Sequence, residues 1–249
     1  KKEQVKANEV EKQKLLDVTK PEEASYAQVL AERQKRAEAI RTALFELRDA
    51  QGIPFATALE YASQASQKTG VRAAFILGIL RQESNLGVNV GQCYLTNDET
   101  GAGKGKNTGT PFSGVMHPTR DVPVFLAVAK RIGFDPHATP VSCPQSIGYG
   151  GAMGPSQFIP STWVMYETSI ASAVGAASAN PWDPKHAIMA TALFLKDLGA
   201  GAGGYTAERE AAGRYYAGGN WATLGLGYAG SVLAFAQKYQ EDIDFLKEN

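Results

Sequence analysis

The run Ala73-Ala74-Phe75-Ile76-Leu77-Gly78-Ile79-Leu80, followed at once by Arg81-Gln82-Glu83-Ser84-Asn85-Leu86-Gly87, sets the narrowest limits on what this chain can become. A helix built from the run is apolar on nearly every side and must be covered all round. Glu83 follows Ile79 and Leu80 by one helical turn and shares their face. The spacing therefore aims a carboxyl group into or beside the core. A carboxylate there is costly unless it is paired, hydrogen-bonded or functional. Desolvation would raise its pKa toward what a general acid needs near neutral pH. The bland alternative is a solvent-facing Glu; the apolar run before Glu83 and the Gly87 stop after it weigh against that.

The rest of the 249 residues predicts a mainly helical, all-α protein with one large domain and an appendage. Residues 1–52 are rich in Lys, Glu, Gln and Ala and read as a helical extension or stalk. A helix start falls at Pro21-Glu22-Glu23, and Val29, Leu30, Ala37, Ile40, Leu44 and Leu47 form an interrupted stripe of coiled-coil character. Residues 53–249 read as the second domain. Helices are predicted over 55–68, 71–84, 121–132, 161–173, 184–198, 206–216 and 228–246. Leu59, Tyr61, Ala62, Val124, Phe125, Ala127 and Val128 are expected to face inward, and Thr206 to cap. Asp183-Pro184 is a strong start signal, with Asp183 as N-cap and Pro184 at the first helical position. Residues 88–119 are expected to be a long polar loop, flexible around Gly101, Gly103, Gly105 and Gly109, with at most a short ribbon.

Charge and composition exclude several functions. The 25 basic and 25 acidic residues cancel, so the overall balance offers no nucleic-acid signature. No apolar run reaches the roughly 18 residues that a membrane span needs. The chain opens Lys1-Lys2 without a Met, so it is expected to be part of a longer chain, in which the missing segment leaves room for a signal or an anchor. His117, His137 and His186 lack metal-site spacing, so no metal and no cofactor is expected. Cys93 and Cys143 bracket a loop-rich stretch; a disulfide is plausible in an exported protein, against the alternative of two unrelated thiols.

Two further stretches carry side chains suited to sugars. Gly148-Tyr149-Gly150-Gly151-Ala152-Met153-Gly154-Pro155-Ser156-Gln157-Phe158-Ile159-Pro160-Ser161 combines glycines that let backbone approach a ligand with a Gln able to donate and accept. Its bland reading is a turn-rich connection with Met153 and Phe158 as core plugs. Tyr215-Tyr216-Ala217-Gly218-Gly219-Asn220-Trp221, leading to Tyr228, offers aromatic faces, hydroxyls and an amide. One or two of these tyrosines are expected to be packing residues.

Taken in order, Glu83-Ser84, Gly151-Ala152-Met153-Gly154, Gln157-Phe158-Ile159-Pro160-Ser161, Asn180-Pro181-Trp182-Asp183-Pro184 and the tyrosines resemble the lytic murein transglycosylases. The likeness is to the membrane-bound transglycosylase B type, over about residues 55–249. It implies a lysozyme-like catalytic domain acting on peptidoglycan glycan strands in the cell envelope. It further implies Glu83 as a single acid/base that cleaves the β-1,4 bond after N-acetylmuramic acid and leaves a 1,6-anhydro sugar, where ordinary glycoside hydrolysis uses two carboxylates. By the same resemblance Ser84 orients Glu83, and Met153 and Gln157 line the cleft. Tyr215 and Tyr228 lie near the acid. Tyr149, Phe158, Tyr216 and Asn220 complete the expected glycan-binding set. Tyr216 departs from the pattern, in which an Asn often follows the first tyrosine. Ser169 to Asn180 contains no acid, so the calcium loop of some relatives is not carried over. Two alternatives stay open at this level: a goose-lysozyme-like hydrolase, with Asp98 or Glu99 as a second acid, and a catalytically silent wall-binding module. The extension would then be a means of meeting a cell-envelope protein.

Overall fold

A computed structural model describes residues 25–36, 38, 52–145 and 148–248. The chain divides into two units, Lys1–Phe45 and Glu46–Asn249. In the first, residues 25–36 are helical (α1) and all exposed, Tyr26, Val29 and Leu30 included. The expected helix start at Pro21 and the stripe positions Ala37, Ile40, Leu44 and Leu47 lie outside the described residues.

The second unit is built around the apolar run. Helix α2 (Phe55–Thr69) leads into α3 (Ala73–Ser84), in which Ala74 through Leu80 are all fully buried. A Cβ placed on Gly78 would lie 2.8 Å from the carbonyl oxygen of Val232 and 3.2 Å from the Ala236 Cβ. Glycine thus brings α3 into close contact with the last helix, α9 (Leu226–Glu248). Helices α4 (Val122–Ile132), α5 (Pro160–Val174), α6 (Pro184–Asp197) and α7 (Gly204–Ala217) complete the main body. α6 packs on both α2 and α5. Asp183 caps α6, accepting from the backbone N–H groups of Lys185 (2.9 Å) and His186 (3.1 Å).

Several expectations are corrected in detail. The buried stripe of α2 is Ala58, Ala62 and Ala65, with Leu59 and Tyr61 half-buried, because small side chains let α2 approach the alanine-rich α6 closely. In α4, Ala127 is exposed and Val122 and Ala129 are buried instead. Thr206 does not cap α7, which starts two residues earlier from Gly203 without a side-chain cap. Nothing in the sequence pattern foretold the 3-10 turn Gly218–Asn220 and the one-turn helix α8 (Trp221–Leu224). Among the described residues no helix is long and apolar enough to cross a membrane.

The stretch after α3 is more ordered than a flexible loop. Strands β1 (Cys93–Leu95), β2 (Gly103–Gly105) and β3 (Pro111–Phe112) form an antiparallel sheet in the order β1-β2-β3, with Tyr94 opposite Lys104. Its glycines serve tight packing: a Cβ on Gly103 would fall 2.0 Å from the carbonyl oxygen of Tyr94. A disulfide joins Cys93 to Cys143 across 50 residues of chain. Backbone bonds between Cys93 and Val141 run beside it in both directions, at 3.0 and 2.9 Å.

Candidate active site

Glu83 lies in the last turn of α3, and the chain reverses immediately after it. Asn85 and Leu86 both take left-handed backbone conformations, φ 54° and 55°. Strain of this kind at non-glycine residues is held only where surrounding contacts over-determine it. Here the contacts come from Ser84. Its hydroxyl donates to the carbonyl oxygen of Pro155 at 2.7 Å, and accepts from the backbone N–H of Gly87 at 2.8 Å. Ser84 is 1% exposed. It clamps the end of α3 to the glycine-rich stretch, and its hydrogen bonds go to backbone rather than to the Glu83 carboxyl group.

The glycine-rich stretch is anchored from its other side as well. The Ser156 hydroxyl donates to the carbonyl oxygen of Ala187 at 2.6 Å and accepts from the Thr191 hydroxyl at 2.9 Å. Both partners sit on α6. Met153 N–H donates to the carbonyl oxygen of Phe158 at 2.9 Å, closing a small loop. At its corner stands Gln157, with φ 53° and its side-chain amide donating to the carbonyl oxygen of Gly154 at 2.8 Å. Met153 and Phe158 are 1% and 3% exposed. That corrects the expectation of glycan contact at these two: they shape the loop from behind, while Gln157 keeps part of its surface open. Phe158 belongs to an aromatic cluster with Trp163, Tyr166, Phe194 and Tyr215.

Two tyrosines converge on the acid. The Tyr228 hydroxyl, from the first turn of α9, donates to Glu83 Oε1. Tyr215, from α7, stacks on Phe158 with ring centroids 5.7 Å apart and donates to the carbonyl oxygen of Ser156 at 2.8 Å. Glu83 keeps some solvent exposure as a residue, yet its carboxyl group lies deep enough for burial to dominate its ionisation. Burial pushes its pKa from the usual 4.5 up to about 7, and the hydrogen bond from Tyr228 pulls it partly back. Burial and the nearby Glu83 charge hold both tyrosines well above the usual tyrosine range, so they remain donors. The arrangement is a carboxyl group with a raised pKa beside two neutral phenols. Near pH 7 such a carboxyl group can give a proton and take one back.

The other expected residues lie in varied settings. Tyr216 is exposed and stacks on Tyr228. Tyr149 is 49% exposed, with its ring 4.7 Å from that of His117. Asn220 is exposed in the 3-10 turn, where its carbonyl oxygen accepts from the Thr223 hydroxyl at 3.0 Å. Asp98, considered as a second acid, pairs with His137 at 2.9 Å, and Glu99 is exposed. Two contributors escaped the sequence reading: Thr191, hidden inside an apolar helix pattern, and His117, which no motif marked. No group of three or more His, Cys, Asp or Glu side chains fit to hold a metal ion occurs among the described residues.

Comparison with known proteins adds the family. The model of the transglycosylase SLT domain matches residues 2–214, running through the expected boundary at residue 52 and stopping one residue before Tyr215. Among solved structures, the catenated lytic transglycosylase SltB1 from Pseudomonas aeruginosa is similar at a TM-score of 0.51 and 18% identity, over 74% of this chain and 74% of that one. A 36 kDa muramidase/transglycosylase is similar at a TM-score of 0.49 and 17% identity, over 82% of this chain and 79% of that one. No curated protein sequence matches the chain.

Proposed function

The chain belongs to the transglycosylase SLT domain family and is a lytic transglycosylase acting on peptidoglycan, and from that premise we propose that Glu83 is its single general acid and base. The observation that carries the proposal is the buried Glu83 carboxyl group, with its pKa near 7, receiving the Tyr228 hydroxyl. The bond broken is the β-1,4 linkage between N-acetylmuramic acid and N-acetylglucosamine. The reaction needs protonated Glu83 at the start. Oε1 is held by Tyr228, which leaves Oε2 to carry the transferable proton. That proton passes to the glycosidic oxygen as its bond to the anomeric carbon breaks. The carbonyl oxygen of the 2-acetamido group supports the positive charge that develops at that carbon. Glu83, now a carboxylate, takes the proton of the C6 hydroxyl as the C6 oxygen attacks the anomeric carbon. One sugar leaves with a free 4-hydroxyl, the other closes as a 1,6-anhydro ring, and Glu83 is protonated again.

One carboxylate suffices because the second nucleophile is the sugar's own hydroxyl. This agrees with the setting of Glu83, whose ionisation is governed by burial and Tyr228. Gln157, Tyr149 and Tyr215 are proposed to bind the glycan, and residues 53–249, which carry the site, to be the catalytic domain. The cell wall, outside the cytoplasmic membrane, is where its substrate lies. The deciding substitution is Glu83→Gln, which keeps shape and hydrogen bonding but cannot exchange the proton. It is expected to abolish release of soluble fragments from purified sacculi while thermal unfolding stays cooperative. Retained turnover in a folded variant would overturn the assignment.

A further inference from the structure

Tyr216 has the form of a glycan-stacking residue, yet its surroundings give it a different task. Its ring lies parallel to that of Tyr228, with centroids 5.0 Å apart and planes 12° from each other, although Tyr216 itself is 55% exposed. Tyr228 is the residue whose hydroxyl reaches Glu83 Oε1.

The backbone sets the register of the stack. A Cβ on Gly225 would fall 2.5 Å from the carbonyl oxygen of Gly213 and 2.8 Å from its Cα. The chain entering α9 and the middle of α7 therefore touch backbone to backbone, which side chains at these positions would forbid. Three residues on from Gly213 stands Tyr216; three on from Gly225 stands Tyr228. Each is about one helical turn beyond the contact, so the pair of glycines brings the two rings face to face.

We infer that Tyr216 is a positioning residue, whose stack on Tyr228 holds the Tyr228 hydroxyl against Glu83 and so sets how readily Glu83 gives up its proton. The inference rests on the reading of Glu83 as the acid/base. The titratable groups acting with Glu83 are Tyr228 from α9 and Tyr215 from α7. Without the Tyr216 ring, Tyr228 gains rotamer freedom and spends less time bonded to the acid. The hydrogen bond that lowers the Glu83 pKa is then weakened, and the pKa rises. Because the first step needs protonated Glu83, the basic limb of the pH–rate profile moves to higher pH.

The test is steady-state kinetics across pH on purified peptidoglycan with the full chain, comparing Tyr216→Ala, Tyr216→Leu and Tyr216→Phe. The Ala and Leu variants are expected to lose roughly three- to tenfold in kcat with KM little changed, as fits the loss of one aromatic pair. Their basic limb moves upward. The Phe variant keeps the flat face and behaves as the parent. In the double variant Tyr216→Ala/Tyr228→Phe, the limb moves no further than in Tyr228→Phe. A raised KM with unchanged kcat would make Tyr216 a glycan platform and overturn the inference. So would a Phe variant as impaired as Ala, or an unmoved limb. Retained activity in Glu83→Gln would instead remove the acid/base reading beneath it, so the two failures are distinguishable.

Discussion

Replacing Glu83 by Gln should stabilise the protein above neutral pH even as it silences it. An ordinary Glu titrates near 4.5, whereas burial pushes folded Glu83 to about 7. A folded-state pKa raised above the unfolded one means that the folded state holds this proton more tightly. The associated stability is fully present below about pH 4.5 and is lost as the pH rises through about 7. At 1.36 kcal/mol per pH unit the loss is about 3 kcal/mol at pH 8. Gln is neutral at every pH, keeps an oxygen for the Tyr228 hydroxyl, and does not suffer this loss. Urea unfolding followed by tryptophan fluorescence, at pH 4.5 and pH 8 with the disulfide intact, measures the difference. The two proteins should be close to equal at pH 4.5. At pH 8 the variant should lead by up to about 3 kcal/mol, or roughly 6–12 °C in Tm for a chain of this size. This is the cost of a functional group held in a place its charge disfavours. A gap that does not change with pH, or a variant less stable at pH 8, would refute the argument that burial sets the Glu83 pKa.

Other perturbations probe the supports of the site. Tyr228→Phe removes a hydrogen bond to the ionised carboxylate, worth roughly 1.5–3 kcal/mol, so the basic limb of the kcat/KM profile should rise by about one to two pH units; an unmoved limb would contradict the Tyr228–Glu83 contact. Gly78→Ala forces a Cβ to 2.8 Å from the Val232 carbonyl oxygen, and separating α3 from α9 should cost about 1–3 kcal/mol in urea unfolding and lower activity with it. Reduction of Cys93–Cys143 should lower stability by roughly 2–4 kcal/mol, read as a fall in Tm on adding reductant to folded protein.

How much of this was legible beforehand follows from the kind of interaction involved. The all-buried run and the capped start at Asp183 are local patterns, and α3 and α6 form where those patterns place them. The buried placement of the Glu83 carboxyl group was legible for the same reason, since helical spacing alone puts Glu83 on the face of Ile79 and Leu80. What could not be read was reach across the chain. The Ser84–Pro155 bond spans 71 residues and the Tyr228–Glu83 bond 145. Neither Pro155 as an acceptor nor the Tyr216–Tyr228 stack has a periodic signature. Glycines were misread in one direction: those of residues 101–105 suggested looseness, but Gly103 is required for a backbone contact. A glycine-rich stretch allows both a free chain and a tightly packed one, and only the neighbours decide.

The central claim is that one carboxyl group acts twice in a turnover and ends the chain in a ring. Mass spectrometry of the fragments released from purified sacculi tests it most directly. The account predicts fragments ending in 1,6-anhydro-N-acetylmuramic acid from the parent protein, and none from folded Glu83→Gln. Fragments ending in reducing N-acetylmuramic acid, heavier by one water, would mean that water and not the C6 hydroxyl completes the reaction, and would contradict it.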